Sequence, residues 1–557
     1  MKPPSSGSYL LLLAPLALLL IVFALPSLRS SGRVGSDGGL GALCARRFIA
    51  GDVVAAASPP PAAVAEEPEL SLLVGVLTMP KLRERRDIVR LAYALQPPAP
   101  RARVDVRFVF CNVTDAVDAA LLAVEIQRHG DVLVLDCAEN MNDGKTYAYL
   151  SSVPRLFAAA PYDYVMKTDD DTYLRVAALV DELRGKPRDD VYLGYGYPMG
   201  GQPMPFMHGM GYVVSWDVAS WISTAGEILE RNDTMGPEDL MVGKWINLAG
   251  KGRNRYDLKP RMYDLNWFMD NFRPDTIAVH TLKTNRRWAA TFRYFNVTAG
   301  LTPSDLYHLP SLDAPEFSLL VGVLTVPNRR ERRDIVRMAY ALQPAAPRAR
   351  VDVRFVFCNV TDPVDAALLA VESARHGDVL VLNCSENMND GKTHEYLSSV
   401  PRIFAADPYD YVMKTDDDTY LRVAALAEEL RGKPRDDVYL GHGFAVGDDP
   451  MPFMHGMGYV VSWDVAQWVS GNQEILRHND THGPEDLLVG KWLGIGGRGK
   501  NRYNLKPRMY DLGWFMDNFR PDTIAVHMLK DNKRWAATFR YFNVTAGIKP
   551  SDLYHLP

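Results

Sequence analysis

The sequence lacks a net positive charge, since its 62 Lys and Arg residues are outnumbered by 67 Asp and Glu residues, for a formal charge of -5. A chain without a basic excess has no overall field that attracts a polyanion, so we expect no nucleic acid partner. The 557 residues are 47% hydrophobic and 23% charged, which is typical of a globular protein with room for two or more domains. Function must therefore reside in local sites.

Long apolar runs are also scarce, and the one near the N-terminus is close to the lower length limit for a membrane span. It covers Tyr9–Leu25 and follows a short tail, residues 1–8, that contains Lys2. Because no clear small-residue cleavage site comes after it, we expect a transmembrane signal anchor behind a cytoplasmic tail; a cleaved signal peptide is the alternative. Residues 26–68 are rich in Gly, Ser, Ala and Pro and predict a flexible stem.

Cysteine is scarce as well, with five residues in the chain. Cys44 stands alone in the stem, whereas Cys111 and Cys137 recur as Cys358 and Cys384. These four could form two disulfides or remain buried free thiols. Seven Asn-x-Ser/Thr sequons accompany the apolar N-terminal segment and suggest a lumenal or secreted body. The sequons are Asn112, Asn232, Asn296, Asn359, Asn383, Asn479 and Asn543.

The chain contains a long internal duplication. Asp169 recurs as Asp416 and His280 recurs as His527, each 247 positions later, and the two copies align without a gap. A repeat of this length is a complete domain rather than a solenoid unit. We therefore expect domain copies at residues 69–310 (repeat 1) and 316–557 (repeat 2), joined by a linker at residues 311–315.

Within each repeat, strand-like runs alternate with helical patterns. The runs SLLVGVLT from Ser71 and DYVMKT from Asp163 are apolar and are typical of buried strands. The segment RERRDIVRLAYAL from Arg83 stops just before Pro97-Pro98 and predicts a helix. This alternation predicts an α/β domain with a largely parallel sheet, in which ligands bind beyond the carboxyl ends of the strands.

Three consecutive carboxylates follow a strand-like run in each repeat, at residues 169–171 and 416–418. They could cap the helix that follows, although capping needs one carboxylate. Three adjacent like charges repel each other, and a bound cation would offset that repulsion. Because Mg²⁺ and Mn²⁺ prefer oxygen ligands, the triplets predict metal sites.

Other polar and aromatic residues have both a functional and a structural explanation. Glu238 and Asp239 lie next to an apolar helical segment, where a carboxylate could act as a general base or simply suit the first helical turn. The histidine after TIAV in each repeat could bind a ligand, but a lone His is more often structural. Trp245, Trp267 and their repeat 2 counterparts could stack on sugars, although core packing is the expected role.

Four segments of each repeat, considered together, resemble a known family. In repeat 1 they are RRDIVR, KTDDDTYLR, MPFMHGMGYVVS and PEDLMVG. Their order and spacing resemble the β1,3-galactosyltransferase and fringe-like inverting glycosyltransferases, which have a GT-A fold and use a nucleotide sugar. The resemblance implies two tandem GT-A-type, Rossmann-like α/β domains after the anchor and stem. The sequence departs from the family pattern at Ala92-Tyr93, where the family has Thr-Trp, and at His208, where it has Cys.

The resemblance also implies roles for individual residues. It matches the family's catalytic base to Asp239 and Asp486. The metal ligands that it implies are Asp171, Asp418, His280 and His527. The carboxylates that it places around the nucleotide sugar are Asp169, Asp170, Asp416 and Asp417. The implied cofactor is Mn²⁺ or Mg²⁺, and the implied donor substrate is a UDP-sugar.

From these features we expect a metal-dependent inverting hexosyltransferase. It would move galactose or an N-acetylhexosamine to a hydroxyl of a glycan or glycoprotein acceptor and form a β1,3 linkage. Combined with the anchor, this predicts a single-pass type II protein of the Golgi membrane with lumenal catalytic domains.

The main alternative is a non-catalytic lumenal protein that binds a glycan or nucleotide sugar. A structural calcium-binding ectodomain would need more oxygen ligands than the triplet offers. Both repeats retain the triplet and the Glu-Asp pair, which favours catalysis by both. The repeats differ where YPMGGQP from Tyr197 becomes FAVGDDP from Phe444, so we expect different acceptor preferences.

Overall fold

The computed structural model describes residues 68–199, 202–231, 233–299, 308–309, 315–346, 348–446, 449–473, 475, 481–545 and 554–555. The predicted tail, the predicted anchor and all of the predicted stem before Pro68 lie outside this part of the chain. Among the described residues, none of the helices combines the length and the apolar character that crossing a membrane requires.

Repeat 1 consists of alternating strands and helices. Its strands are β1 Leu70–Leu77, β2 Ala102–Phe110, β3 Val132–Val134, β4 Tyr164–Asp169, β5 Tyr173–Leu174, β6 Val191–Met199, β7 Gln202–Ser215, β8 Asn254–Asp257, β9 Met262–Asp264, β10 Ala278–His280 and β11 His308–Leu309. Its helices are α1 Arg83–Ala94, α2 Ala116–His129, α3 Lys145–Leu156, α4 Val176–Arg184, α5 Trp216–Thr224, α6 Gly226–Glu230, α7 Glu238–Leu248 and α8 Asn285–Tyr294.

Repeat 2 follows the same order of strands. They are β12 Phe317–Leu324, β13 Ala349–Phe357, β14 Val379–Val381, β15 Tyr411–Asp416, β16 Tyr420–Leu421, β17 Val438–Val446, β18 Asp449–Ser462, β19 Asn501–Asn504, β20 Met509–Asp511, β21 Ala525–His527 and β22 Tyr554–His555. The helices are α9 Arg330–Ala341, α10 Pro363–His376, α11 Lys392–Ile403, α12 Val423–Arg431, α13 Trp463–Gly471, α14 Glu485–Ile495 and α15 Asn532–Tyr541.

The main sheet of repeat 1 has the strand order β22-β2-β1-β4-β7-β6-β8, with β3 beside β2. The pairs β1–β2, β1–β4, β2–β3 and β6–β8 are parallel, as the alternating pattern predicts. However, β7 runs antiparallel to β6, because the two form a hairpin with no helix between them, and it also runs antiparallel to β4. The sheet is therefore mixed, and the prediction of a largely parallel sheet is wrong for the part around β7.

The central strands are buried because helices cover both faces of the sheet. In β1 every residue except Ser71 is buried, and β4 is buried up to Thr168. Strands buried on both faces read as continuous apolar runs, and this explains why the sequence signals them clearly. The same burial makes Lys167, in the middle of β4, an exception that requires a partner.

A second, three-stranded sheet with the order β5-β10-β9 lies beside the main one in repeat 1. Its strands β9 and β10 are parallel and end together, with Asp264 opposite His280. Strand β5 begins two residues after the acidic triplet and pairs with β10. This sheet therefore brings the C-terminal part of the repeat to the end of β4.

Both repeats contain a disulfide, Cys111–Cys137 in repeat 1 and Cys358–Cys384 in repeat 2. The alternative of buried free thiols is therefore wrong for these four residues. Each bond joins the segment after the second strand to the segment after the third, close to the carboxyl edge of the sheet. Stable disulfides form in oxidising compartments.

The two repeats are interleaved. Strand β22, at the end of repeat 2, pairs with β2 of repeat 1, and β11, at the end of repeat 1, pairs with β13 of repeat 2. The cores cross as well, because Leu121 and Val124 of repeat 1 pack in the core of repeat 2. The predicted boundaries at residues 310 and 316 thus separate the repeats in sequence but not in packing.

Candidate active site and metal centre

The acidic triplet of repeat 1 lies at the carboxyl end of the central strand β4. Asp169 is the last residue of β4 and is paired in register with Leu77, the last residue of β1. Asp170 and Asp171 follow in the turn that leads to β5. The three carboxylates therefore start from the sheet edge at which ligands of α/β domains bind, as the sequence predicts.

Asp170 is nearly buried and uses both carboxylate oxygens within the protein. Its Oδ2 accepts a 2.6 Å hydrogen bond from Oγ1 of Thr78, and its Oδ1 forms a 2.7 Å ion pair with Nη1 of Arg85. Burial raises the pKa of Asp170, and the Arg85 guanidinium offsets part of that rise. Asp170 therefore ties β1 and α1 to the triplet, a position that suits its predicted role of shaping the donor site.

Asp171 and His280, 109 positions apart in sequence, come together at the end of β4. Nε2 of His280 lies 3.1 Å from Oδ1 of Asp171 and 3.8 Å from Oδ2 of Asp169. The backbone N–H of Leu282 donates to the carbonyl oxygen of Asp171 at 2.9 Å. This bond anchors the segment after β10 beside the triplet.

Asp264 orients the imidazole of His280. Oδ1 of Asp264 lies 2.7 Å from Nδ1 of His280, across the paired ends of β9 and β10. A carboxylate on the second nitrogen fixes the ring of a metal-binding His and increases its basicity. Burial lowers the pKa of His280, but hydrogen bonds to Asp171 and Asp264 outweigh it and raise the pKa to about 9. The surroundings of this ring therefore favour positive charge.

These side chains fit a divalent cation. The ligand atoms of Asp169, Asp171 and His280 lie within 4.8 Å of one another, and so do those of His208, Asp264 and His280. Carboxylate oxygens suit Mg²⁺ and Mn²⁺, and the imidazole nitrogen suits a transition metal such as Mn²⁺ better than Mg²⁺. The predicted metal ligands of repeat 1 are thus together, with His208 and Asp264 beside them.

Lys167 links the triplet to the start of α7. Its buried Nζ lies 2.8 Å from Oδ1 of Asp169 and 2.6 Å from Oε1 of Glu238, and it donates to the carbonyl oxygen of Gly209 at 2.6 Å. Burial would lower the pKa of Lys167, but the two carboxylates raise it above its ordinary value. The charged ammonium therefore holds Asp169 and Glu238 at a fixed separation.

Glu238 and Asp239, the first two residues of α7, have different surroundings. Glu238 contacts Lys167 and accepts from the hydroxyl of Tyr212 at 2.9 Å. Asp239 accepts from the backbone N–H of Gly209 at 3.3 Å and of Leu240 at 2.8 Å. Two backbone amides thus hold the Asp239 carboxylate in a partly exposed position, which suits a general base.

Gly209 allows the close approach of these groups. A Cβ at this position would lie 2.7 Å from Oε1 of Glu238, 3.6 Å from Nζ of Lys167 and 3.8 Å from Oδ2 of Asp239. A side chain there would therefore displace Glu238 or the strand that carries it. Gly456 occupies the same place in repeat 2, where the distance to Oε1 of Glu485 is 2.8 Å.

Repeat 2 reproduces the constellation. Nε2 of His527 lies 3.1 Å from Asp418 and 3.8 Å from Asp416, and its Nδ1 lies 2.7 Å from Asp511. The remaining equivalents are Lys414, Glu485, Asp486 and Asp417. The triplet, His527, Arg329 and Arg332 line a cleft of about 280 Å³. That volume is near the lower end for small-molecule sites.

The structure brings together every site residue that the sequence predicts in each repeat. It also adds residues that sequence reasoning does not single out, namely Lys167, Asp264, Arg85 and their counterparts Lys414, Asp511 and Arg332. A charged residue inside an apolar strand run is a signal for Lys167. Asp264 lies in a short strand without a clear pattern, and only the pairing with β10 identifies it.

The tryptophans fall into two groups. Trp245 and Trp492 are buried in the core, as expected. Trp267 and Trp514 are 83% and 84% exposed, so the expectation of core packing is wrong for them. They lie in the loops between β9 and β10 and between β20 and β21.

Comparison with protein families gives the same result for both repeats. The family model described as Galactosyltransferase matches residues 84–204 and residues 331–449. Each match includes the helix with the RRDIVR motif, the acidic triplet and the hairpin β6–β7 or β17–β18 as far as its second strand.

Three curated proteins illustrate the similarity. Beta-1,3-galactosyltransferase pvg3 of Schizosaccharomyces pombe is 26% identical over 284 residues, 40% of this chain and 73% of that protein. Probable beta-1,3-galactosyltransferase 4 of Arabidopsis thaliana is 30% identical over 237 residues, 36% and 56% of the two chains. Beta-1,3-galactosyltransferase 6 of Mus musculus is 28% identical over 197 residues, 31% and 59% of the two chains. The alignments thus span between about half and three quarters of these relatives.

A solved structure of the galactosyltransferase LgtC, in complex with donor and acceptor sugar analogs, aligns with 42% of this chain and 98% of its own. The alignment has 14% sequence identity and a TM-score of 0.27. At that score the alignment does not bear on the fold, and the family match rests on sequence.

Proposed function

Through both of its repeats the chain belongs to the galactosyltransferase family, and from that premise we propose that it is a metal-dependent inverting hexosyltransferase with two active sites. Its donor is a UDP-sugar, with galactose or an N-acetylhexosamine as the sugar. Its acceptor is a hydroxyl of a glycan or glycoprotein, and the new linkage is β1,3. Each repeat is a GT-A-type domain.

The observation that carries this proposal is the pairing of two carboxylate sets with distinct surroundings. One set, Asp169 and Asp171, lies beside His280 and suits a cation. The other, Asp239, lies at the start of α7, half exposed and held by backbone amides. Lys167 links Asp169 of the first set to Glu238, the residue before Asp239. Metal-assisted transfer with a separate base requires this division of roles.

Asp171 and His280 would hold Mn²⁺ or Mg²⁺, with Asp169 beside them. A bound cation would supply positive charge to offset the negative charge that develops on the diphosphate. Asp264 keeps the His280 ring in place through its Nδ1. Asp170, fixed by Thr78 and Arg85, shapes the floor on which the nucleotide sugar rests.

Asp239 accepts the proton of the acceptor hydroxyl. The hydroxyl oxygen forms a bond to the anomeric carbon as the bond from that carbon to the diphosphate oxygen breaks, and UDP leaves with the electron pair. Attack opposite the leaving group inverts the anomeric centre. The Gly209 N–H holds the Asp239 carboxylate in place at the start of α7.

The test is a screen of UDP-sugars with Mn²⁺, followed by determination of the product linkage. We expect transfer of galactose or an N-acetylhexosamine, dependence on a divalent cation, and loss of transfer when Asp239→Asn and Asp486→Asn are combined. If the wild type binds a UDP-sugar tightly but never transfers or hydrolyses it, the non-catalytic alternative replaces this proposal.

Both repeats are active in this proposal, with different acceptors. The metal and base residues are the same, whereas Tyr195 of β6 is replaced by His442 and Asp257 by Asn504. Asp257 accepts from the N–H of Gly196 at 3.0 Å, and Asn504 accepts from Gly443 in the same way. The changes thus alter charge near the hairpin while the backbone contact stays. The tips of the YPMGGQP and FAVGDDP hairpins lie outside the described residues.

We further propose that the chain is a single-pass type II protein of the Golgi membrane with both repeats in the lumen. The two disulfides suit an oxidising compartment. All five sequon asparagines within the described residues are exposed, namely Asn112, Asn296, Asn359, Asn383 and Asn543. Glycosidase treatment of the cellular protein should increase its gel mobility. Unmodified sequons would contradict a lumenal body, and recovery from the medium without its first residues would favour a cleaved signal.

A further inference from the structure

The contact between the repeats is built symmetrically around helices α1 and α9, which pack against each other. Arg83 of α1 forms a 2.7 Å ion pair with Glu331 of α9, and Arg330 of α9 forms a 3.2 Å ion pair with Glu84 of α1. Both arginine side chains are almost fully buried, at 2% and 3% exposure, whereas both glutamates are partly exposed. Each repeat thus inserts one buried cation against a carboxylate of the other.

Both glutamates have a second partner within their own repeat. Oε1 of Glu331 accepts from Nδ2 of Asn532 at 3.2 Å, and Oε1 of Glu84 accepts from Nδ2 of Asn285 at 3.1 Å. The arginine of the other repeat donates to this same Oε1 atom in each case. Because Asn285 and Asn532 are the first residues of α8 and α15, these bonds tie the starts of the two helices to α1 and α9.

Helices α8 and α15 carry the segments that end at the candidate metal sites. Three residues before Asn285, Leu282 donates to the backbone of Asp171, and Leu529 bonds to Asp418 in the same way at 2.9 Å. Arg287 of α8 also donates to the carbonyl oxygen of Leu265 at 2.8 Å, next to Asp264. A shift of α8 would thus move His280 and the residue that orients it.

The outer faces of the same two helices rest on the opposite repeat. Helix α8 packs against α10 of repeat 2, and α15 packs against α2 of repeat 1. Leu368 and Val371 of α10 lie in the core of repeat 1, as Leu121 and Val124 of α2 lie in that of repeat 2. Each of these helices is therefore held between its own repeat and the other one.

We propose that each repeat positions the metal site of the other, with Arg83 acting on the site of repeat 2 and Arg330 on the site of repeat 1. The two arginines are positioning residues, since neither touches a candidate ligand. Arg83 holds Glu331, Glu331 holds the start of α15, and α15 anchors His527. The path from Arg330 through Glu84 and α8 to His280 is the reciprocal one. The prediction for activity rests on the proposed function, whereas the prediction for structure does not.

The test combines each of two substitutions, Arg83→Ala and Arg330→Ala, with each of two backgrounds of the full chain in which one active site is disabled. Asp239→Asn leaves repeat 2 as the active site, and Asp486→Asn leaves repeat 1. Arg83→Ala should raise the Mn²⁺ concentration for half-maximal transfer by about tenfold in the first background, within the range for lost supporting contacts around a metal site, and by much less in the second. Arg330→Ala should give the opposite pattern. A purely structural role predicts damage in the repeat that carries the substitution, or equal damage in both.

Hydrogen–deuterium exchange supplies a readout that needs no activity. Arg83→Ala should increase exchange in residues 528–541 more than in residues 281–294, and Arg330→Ala should do the reverse. The matched control is Arg253→Ala, which removes an exposed ion pair with Asp190 inside repeat 1 and should change neither segment. If the alanine variants do not fold, Arg83→Lys and Arg330→Lys carry the same comparison with the charge retained.

Exchange confined to the substituted repeat, or equal in both, would overturn the proposal. Absence of transfer from every variant and from the wild type would instead contradict the proposed function, and the exchange pattern would still decide the inference. We expect each arginine substitution to increase exchange, and to raise the Mn²⁺ requirement, mainly in the repeat that does not carry it.

Discussion

The two repeats share one chemical constellation but differ in how it is surrounded. In repeat 1, Asp170 pairs with one arginine, Arg85. In repeat 2, the equivalent Asp417 is reached by Arg332 at 2.8 Å and by Arg329 at 3.2 Å, because Arg329 replaces Leu82. Distances at the metal ligands are the same in both repeats. The arrangement of the candidate metal ligands is thus the same in both repeats, whereas the positive charge around the middle aspartate of the triplet differs.

A second difference lies beside the candidate metal site. Tyr195 packs against His208 in repeat 1, whereas His442 packs against His455 in repeat 2. Burial lowers the pKa of His442 to about 4, with Lys506 and His455 adding to the effect. This imidazole is therefore neutral at neutral pH, so repeat 2 has a neutral imidazole where repeat 1 has a phenolic hydroxyl.

The largest expected effect comes from removing the equivalent proposed metal ligand in each repeat. Combining Asp171→Ala with Asp418→Ala should abolish transfer, because both sites lose the carboxylate next to the histidine. Transfer rate and thermal unfolding are the measurements. Asp275→Ala, at an exposed carboxylate paired with Arg273, is the control and should leave transfer unchanged. Full activity of the double variant in the presence of a chelator would refute metal dependence.

The next effect concerns the residues that orient the histidines. Asp264→Ala should weaken the Mn²⁺ affinity of repeat 1 by about 10–100-fold, the usual cost of losing such a partner, and should leave that of repeat 2 unchanged. Asp511→Ala should do the converse. Mn²⁺ titrations in the Asp486→Asn and Asp239→Asn backgrounds separate the two sites. Equal loss in both sites would show that these carboxylates do not act locally.

Burial of Asp87, in the interface helix α1, gives a prediction for pH. Burial raises the pKa of Asp87, and the nearby Asp334 and Glu372 carboxylates raise it further. The folded state thus keeps a proton that the unfolded state loses above about pH 4, so this group's contribution to stability falls as pH rises. As pH rises from 5 to 8, the free energy of unfolding of Asp87→Asn should increase by about 1–3 kcal/mol relative to that of the wild type, at 1.36 kcal/mol per pKa unit.

Urea unfolding of the two proteins at both pH values measures this effect. The wild type should lose stability relative to Asp87→Asn as pH rises. A difference between the two proteins that is the same at pH 5 and pH 8 would show that Asp87 titrates normally.

The smallest effect tests the extra arginine directly. Arg329→Leu, which gives repeat 2 the residue of repeat 1, should raise the donor KM of repeat 2 by about two- to fivefold, since half-exposed ion pairs contribute little. Leu82→Arg should lower the donor KM of repeat 1 to a similar degree. Steady-state kinetics in the single-site backgrounds give both values. If the two donor KM values are unaffected by the exchange, Arg329 plays no part in donor binding.

The sequence predicts a structural feature correctly where the residues of a single segment determine it. The apolar run before Asp169 places the triplet at a strand end, and the motif before Ala92 predicts the helix observed at Arg83–Ala94. The same segments carry the family resemblance, which the match to each repeat confirms.

What the sequence does not show depends on distant pairing. Asp264 acquires its role only because β9 and β10 end side by side. The antiparallel strand β7 also follows from tertiary pairing, since its apolar pattern suits either direction. The interface between the repeats escapes prediction for a further reason. Buried charges such as Arg83 are rare, so a motif rich in arginine is normally assigned to the surface.

Product formation by four proteins tests most directly whether both repeats catalyse transfer: the wild type, Asp239→Asn, Asp486→Asn and the variant with both changes. Each should be assayed with one UDP-sugar, Mn²⁺ and a panel of acceptors. We predict that each single variant keeps transfer to a different subset of acceptors and that the double variant loses about 10²–10⁴-fold of activity, the usual contribution of a general base. Full transfer by the double variant, or a single variant that matches the wild type on every acceptor, would contradict two working sites built on Asp239 and Asp486.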